Sequence, residues 1–414
     1  MMRHRRHAGL AIGLAATALA VHLAAQATTP PQPAAQPALS LTQPLPVDSA
    51  VRTGQLANGM RYYIRRNPLP ADRVSLRLAV NAGSLQEEND QRGLAHLLEH
   101  MAFNGTENFK PGELVAFLES IGSRFGPHVN AYTSFDETVY MLDVPTDRPG
   151  YVDRGTLALH DFAAGMSLLQ QEIDKERGVV IEEWRGRLGA GSRITDKQLP
   201  VIFAGSRYAE RLPIGLPDVI KTASRQRILD FYRKWYRPDQ MAVIVVGDID
   251  PNEAQQLVEK RFGTIPGVKT PIETIDRAVP ANKETRYSVA ADPEAQGWSV
   301  SIAYKRPVEI ERTVGDYRRS LIQQLVAQML NLRLREIARR PNAPFLSAQA
   351  GSSSLGRAVE VFELESSVQE GRLATGLDAL VLEARRMQKF GFSRDELERA
   401  KAGTLAFYER AYKE

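Results

Sequence analysis

The sequence predicts an α+β fold: two related α/β-sandwich units, each a mixed, mostly antiparallel sheet with helices packed on one face. Three observations carry that prediction. Apolar positions switch along the chain between period two and the three-to-four spacing of a helix. Over residues 51–264 strands are followed by paired helices and then by a returning strand, which implies segregated α and β layers. After a linker at 265–283, with three prolines and no apolar periodicity, a similar order recurs over 284–414.

Residues 56–60 read as a turn into a strand at 61–65. The alternation of Val74, Leu76, Leu78 and Val80 marks a half-buried strand. A polar, acidic loop runs to Arg92. A helix follows at 93–103, with Leu94, Leu97, Leu98 and Met101 as its core-facing stripe and Asn104-Gly105 as its stop. Pro111 opens the next helix and Gly122 ends it. Strands are expected at 129–134 and 138–144, then helices at 151–166 and 170–188. Residues 193–217, rich in Gly and Pro, are expected to be irregular. A helix at 223–236, a strand at 241–246 and a helix at 253–262 complete the first unit.

In the second unit the pattern gives a strand at 298–304, a long helix at 314–340, strands at 346–352 and 358–366, and a helix at 371–389. The last helix starts from the N-cap Ser393, with Glu396 completing a capping box. It is still running at Glu414, so this degenerate second copy is expected to be truncated or part of something longer.

Composition bounds the function. Of 414 residues 43% are apolar and 25% charged, values of a globular protein rather than a disordered or multi-span membrane one. The absence of cysteine excludes thiolate metal sites, disulfides and cysteine nucleophiles, leaving His, Asp and Glu for any metal. Three of the four excess positive charges are Arg3, Arg5 and Arg6, so the remainder is nearly neutral and no nucleic-acid partner is indicated.

Those arginines open a signal-peptide pattern over 1–27: a basic start, an Ala/Leu-rich run and the A-x-A site Ala25-Gln26-Ala27. The Pro/Ala/Gln-rich stretch at 28–50 reads as a flexible spacer. The chain is therefore expected to be exported, periplasmic or secreted, with no stable membrane anchor after cleavage.

The predicted helix at 93–103 carries the motif HLLEH, His96 to His100. Histidines four apart project from one helical face, a spacing that lets both imidazoles reach one zinc ion. Glu99 borders that face and can move a proton without being a ligand. A zinc site of this kind needs a third protein ligand. His128, before a strand, and His160, on a helix without a metal-binding companion, fit structural or surface roles. An acid is the expected ligand. In EIDKERGVVIEEW, Glu176 and Glu183 lie seven apart and so fall nearly in line on a helix, with Glu182 rotated about 100° away. Either aligned acid fits as ligand, with the other behind it as a supporting carboxylate.

Taken together, GLAHLLEHMAFNGT at 93–106, NAYTSFDETVY at 130–140, EIDKERGVVIEEWR at 172–185 and SRYAERLPIGLPDVI at 206–220 resemble the pitrilysin/insulysin/mitochondrial-processing-peptidase family of zinc peptidases. The resemblance covers nearly everything after the spacer and is nearest to the bacterial exported members. It implies one zinc ion held by His96, His100 and Glu183, Glu99 as general base toward a zinc-activated water, and Glu176 as the supporting acid. It further implies a peptide substrate added as a strand along Asn130, Ala131 and Tyr132. Endopeptidase action on oligopeptides or unfolded segments follows; the alternative is a non-catalytic scaffold or chaperone-like subunit. The interval from His100 to Glu183 is several residues longer than the family's, which keeps Glu176 in contention as ligand. Family members complete the site with an arginine and a tyrosine from a second peptidase-like half, and no pair within 284–414 matches them.

Overall fold

The computed structural model describes residues 39–413; the signal peptide expected at 1–27 and the spacer up to residue 38 lie outside the described residues. The first unit is built on a six-stranded sheet of order β1-β2-β6-β3-β5-β4. Its strands are β1 (Val51–Gln55), β2 (Arg61–Arg66), β3 (Arg73–Val80), β4 (Val129–Thr133), β5 (Thr138–Pro145) and β6 (Met241–Gly247). Tight turns join β1 to β2 and β4 to β5 as antiparallel pairs. β6 returns only after a long helical excursion, and such a crossover lets it insert parallel to β2 while pairing antiparallel with β3.

Alternation in the strands decides which face is covered. Leu76 of β3 stands beside Leu142 of β5 and Val245 of β6, and all three are buried. The next row in register, Arg77, Met141 and Ile244, turns to the other face and stays partly or fully exposed. Helices α1 (Leu94–Met101), α3 (Tyr151–Ala164) and α8 (Pro251–Phe262) pack on the strands. α2 (Glu113–Ser120), α4 (Gln170–Gly186), α6 (Pro217–Thr222) and α7 (Arg225–Trp235) add buried residues to the same core, and α5 (Ala190–Ile202) offers it only the partly buried Leu199. The expected stripe of α1, Leu94, Leu97, Leu98 and Met101, is fully buried. Each of these leucines brings ~1.5–3 kcal/mol of apolar burial to the site's own helix.

The second unit carries β7 (Trp298–Pro307), α9 (Val314–Ala338), β8 (Ser347–Ser354), β9 (Val359–Val368), α10 (Leu373–Phe390) and α11 (Arg394–Lys413). Its three strands form an antiparallel sheet of order β7-β9-β8. It has a core of its own, around Leu330, Leu334, Phe345, Leu364 and Leu380. The capping box at the start of α11 forms: Glu396 N–H donates to Ser393 Oγ and Ser393 N–H to Glu396 Oε2. Among the described residues no helix is long and apolar enough to cross a membrane.

Four expectations need correction. Residues 193–217 are not irregular throughout, because α5 runs from Ala190 to Ile202. Pro200 sits in its last turn, where a missing N–H and a ring clash disturb only the helix end. The helix expected at 223–236 is α7, capped by the Ser224 side chain, but the short α6 before it, Pro217–Thr222, has no counterpart in the sequence pattern. β1 was not anticipated, since VRTGQ shows no apolar alternation; it is fixed by its pairing with β2. Finally, the stretch at 28–50 is not uniformly a free spacer: Leu41, Gln43 and Leu45 form backbone hydrogen bonds with Gly315, Val314 and Arg312.

Candidate metal centre

Helix α1 begins at Gly93, whose φ of +101° a side-chain-bearing residue adopts only with strain. Gly215 approaches so closely that a Cβ there would lie 2.2 Å from the Gly93 Cα. Glu87 Oε1 accepts the N–H groups of Gly93 and Ala95, at 3.0 and 2.9 Å, and so occupies the donor-rich end of the helix. Burial pushes the Glu87 carboxyl up to about 8, against the pull of those amides and of Arg211 and Arg207. α1 packs against β4 and α4.

One turn apart on α1, the His96 and His100 rings meet edge to face, with their Nε2 atoms 3.2 Å apart. Glu183 Oε2, from α4, lies 3.3 Å from His100 Nε2 and 3.6 Å from His96 Nε2. His96, His100 and Glu183 form a group able to hold a metal ion. Zinc–nitrogen and zinc–oxygen bonds of about 2.0–2.1 Å require neighbouring tetrahedral ligands to stand roughly 3.3–3.4 Å apart. The three observed separations bracket that edge length, and the donor types suit zinc. The residues fit the ion.

Glu176 stands elsewhere. Its Oε1 is 2.8 Å from His100 Nδ1, the ring nitrogen turned away from the triangle, and its Oε2 accepts from Asn104 Nδ2 at 2.7 Å. The seven-residue interval thus sets one acid in front of the His100 ring and the other behind it. Glu182 is exposed and pairs with Arg185 instead. His160 contacts Asp161, and His128 accepts from the Arg124 N–H; neither joins the group.

Electrostatics separates the two histidines. Burial, then the neighbouring His100, pushes His96 down to about 4, so it is neutral and free to ligate at pH 7. Burial also opposes charge on His100, but the Glu176 hydrogen bond and the charges of Glu99, Glu176 and Glu183 outweigh it and raise its pKa. The Glu176 carboxyl is lowered despite burial, through its hydrogen bond to His100. His96 Nδ1, by contrast, is buried with no hydrogen-bond partner.

Glu99 is 7% exposed and its carboxyl is pushed up to about 7 by burial, against a 2.6 Å hydrogen bond from Thr133 Oγ1 to Oε2. Thr133 ends β4, the outermost strand of the sheet. Asn130 and Tyr132 are exposed along that edge, Ala131 is half-buried, and Ala131 N–H donates to Asn130 Oδ1 at 2.9 Å. Thr133 and Asn104 escaped the sequence reading. The strand alternation turns Thr133 opposite to Tyr132, whereas the sequence marks Asn104 only as part of the helix stop.

The family described as "Insulinase (Peptidase family M16)" matches residues 63–190, and "Peptidase M16 inactive domain" matches residues 222–404. The chain is 39% identical, over 83% of its length, to 36% of a "Zinc protease PQQL-like" from Arabidopsis thaliana. It is 35% identical, over 87% of its length, to 39% of a "Probable zinc protease PqqL" from Haemophilus influenzae. It therefore spans less than two fifths of these curated relatives. Among solved structures it resembles the first half of the periplasmic protease PqqL from Escherichia coli, at 32% identity and a TM-score of 0.83. That match covers 89% of this chain and 79% of the other.

Proposed function

This chain belongs to the insulinase family of peptidases, family M16, and from that membership we propose that it is the catalytic part of a zinc endopeptidase. The observation that carries the proposal is the triangle of His96 Nε2, His100 Nε2 and Glu183 Oε2 beside the buried carboxyl of Glu99.

In this reading His96, His100 and Glu183 hold one zinc ion. Bound zinc supplies a Lewis acid for the scissile carbonyl and lowers the pKa of an attacking water. Glu176 keeps a proton on His100 Nδ1, which leaves Nε2 with its lone pair toward the metal. Thr133 holds Glu99 Oε2, so the other carboxylate oxygen, Oε1, takes the proton of the attacking water and returns it to the leaving amine. A carboxyl poised near neutral pH suits both transfers. The substrate lies along Asn130, Ala131 and Tyr132 as an added strand, its backbone taking the free edge of β4 and displacing Asn130 Oδ1 from the Ala131 amide.

Residues 51–264 form the catalytic domain in this account, 265–283 the linker, and 284–414 a second, peptidase-like domain. The match of 222–404 to a domain described as inactive favours a non-catalytic part for that region. A second half, as the Escherichia coli neighbour has, supplies the remaining groups that hold the peptide. Export to the periplasm fits both that neighbour and the 1–27 pattern. The test is hydrolysis of internally quenched peptides by the zinc-loaded protein, before and after chelation and after zinc is restored. Cleavage that chelation leaves untouched would overturn the proposal; cleavage abolished and then recovered supports it.

A further inference from the structure

The second unit meets the first in several polar contacts, among them Arg193 with Asp292 and Lys305 with the Ile202 carbonyl, but among the described residues it enters the first unit's core at one hairpin. The turn between β8 and β9, residues 355–358, packs Leu355 and Ala358 against the core of the first unit, and Val359 is buried within that core. At its tip Gly356 has φ +132°, and a Cβ there would stand 2.7 Å from the ring of Tyr208. The turn meets the tight connection between β4 and β5, the two strands that carry the proposed peptide-binding edge.

Two carboxylates of that connection take the contact. Asp136, only 2% exposed, accepts from three separate segments: Tyr208 O–H (3.0 Å), Arg277 Nε (2.9 Å) and the backbone N–H of Arg357 (3.0 Å). Glu137 bridges outward. Its Oε2 accepts from the Arg357 guanidinium, while its Oε1 accepts from Tyr132 O–H at 2.9 Å. The same guanidinium also donates to Asn81 Oδ1 at the end of β3. A side chain 220 positions downstream is thus one residue removed from the exposed phenol of Tyr132.

We propose that the second unit sets the position of the peptide-binding edge, with Arg357 as a positioning residue that acts through Glu137 on Tyr132 and with Asp136 as the buried anchor of the clamp. This rests on the reading of β4 as the substrate edge. It assigns the second unit a task in peptide binding rather than in the chemistry at the metal. A half-exposed ion pair contributes little alone, roughly a two- to fivefold effect, whereas a buried carboxylate with three donors contributes more. The side-chain half of the clamp should therefore show in substrate affinity and local mobility without unfolding the protein.

The test uses the full chain, zinc-loaded, as wild type and as R357M, R357K and D136N. Hydrogen exchange is followed by mass spectrometry over 129–138, α1 and α4, beside steady-state cleavage of one peptide. For R357M the expectation is faster exchange confined to 129–138, a KM higher by about two- to fivefold and a kcat changed by less than about twofold. R357K restores most of both, and D136N moves both further in the same direction. Unchanged exchange over 129–138 in R357M and D136N overturns the proposal, as does acceleration spread equally over α1 and α4. A wild type that cleaves no peptide, alone or joined to a second half, would instead refute the peptidase reading, and the exchange data would still decide the clamp.

Discussion

Replacing Glu176 by glutamine separates the orienting of a zinc ligand from ligation itself. Its Oε1 lies 2.8 Å from His100 Nδ1, and Asn104 holds Oε2 at 2.7 Å. The amide oxygen of glutamine can still accept from Nδ1–H, so the ring keeps its place and its tautomer. What is lost is the negative charge that makes His100 a stronger base. Losing such a supporting group typically costs about 10–100-fold in metal affinity, or roughly 1.4–2.7 kcal/mol. Glu183→Gln removes one corner of the triangle outright and should weaken binding by more. Competition with a chromophoric chelator at pH 7, on the apo forms of both variants, measures the two losses side by side. A greater loss for Glu176→Gln than for Glu183→Gln would refute the reasoning and make Glu176 the ligand.

Three further outcomes follow from other contacts. Thr133→Val removes the O–H that stabilises the Glu99 carboxylate, so the pKa of Glu99 rises and the acid limb of the kcat/KM profile moves to higher pH by about one unit or more; an unmoved limb would disconnect Glu99 from that profile. Glu396 is held at about 2 by its hydrogen bonds to Arg333, below its ordinary 4.5. It therefore stabilises the fold above pH 4.5 and loses that contribution as pH falls toward 2, about 1 kcal/mol after solvent screening. In urea unfolding the gap between wild type and Glu396→Gln should close over that window. Gly215→Ala sets a Cβ against Gly93 in a left-handed backbone and should destabilise the protein by about 2 kcal/mol or more, measured as a lower unfolding midpoint.

The parts of this molecule most legible in its sequence are those fixed by local periodicity. The stripe of α1 and the alternation of β3 read correctly because a residue's burial there depends on neighbours two to four positions away. The spacing of Glu176 and Glu183 already placed both acids on one side of a helix. Only the rotation of His100 between them distinguishes the two, because its Nε2 faces Glu183 and its Nδ1 faces Glu176. Long-range pairing was not legible: the parallel insertion of β6 beside β2 and the arrival of Arg357 at Glu137 join residues some 180 and 220 positions apart. The helix at Ala190–Ile202 was hidden by glycine and proline that proved to sit at its ends.

Glu99 is the residue on which the account turns, since it is proposed to move protons without binding metal. Glu99→Gln keeps the hydrogen bond from Thr133 and leaves His96, His100 and Glu183 intact. Zinc content by atomic absorption, measured beside peptide hydrolysis, should show a full equivalent of metal and a kcat reduced by about 10²–10⁴-fold. Hydrolysis at the wild-type rate by the zinc-loaded variant would contradict the account.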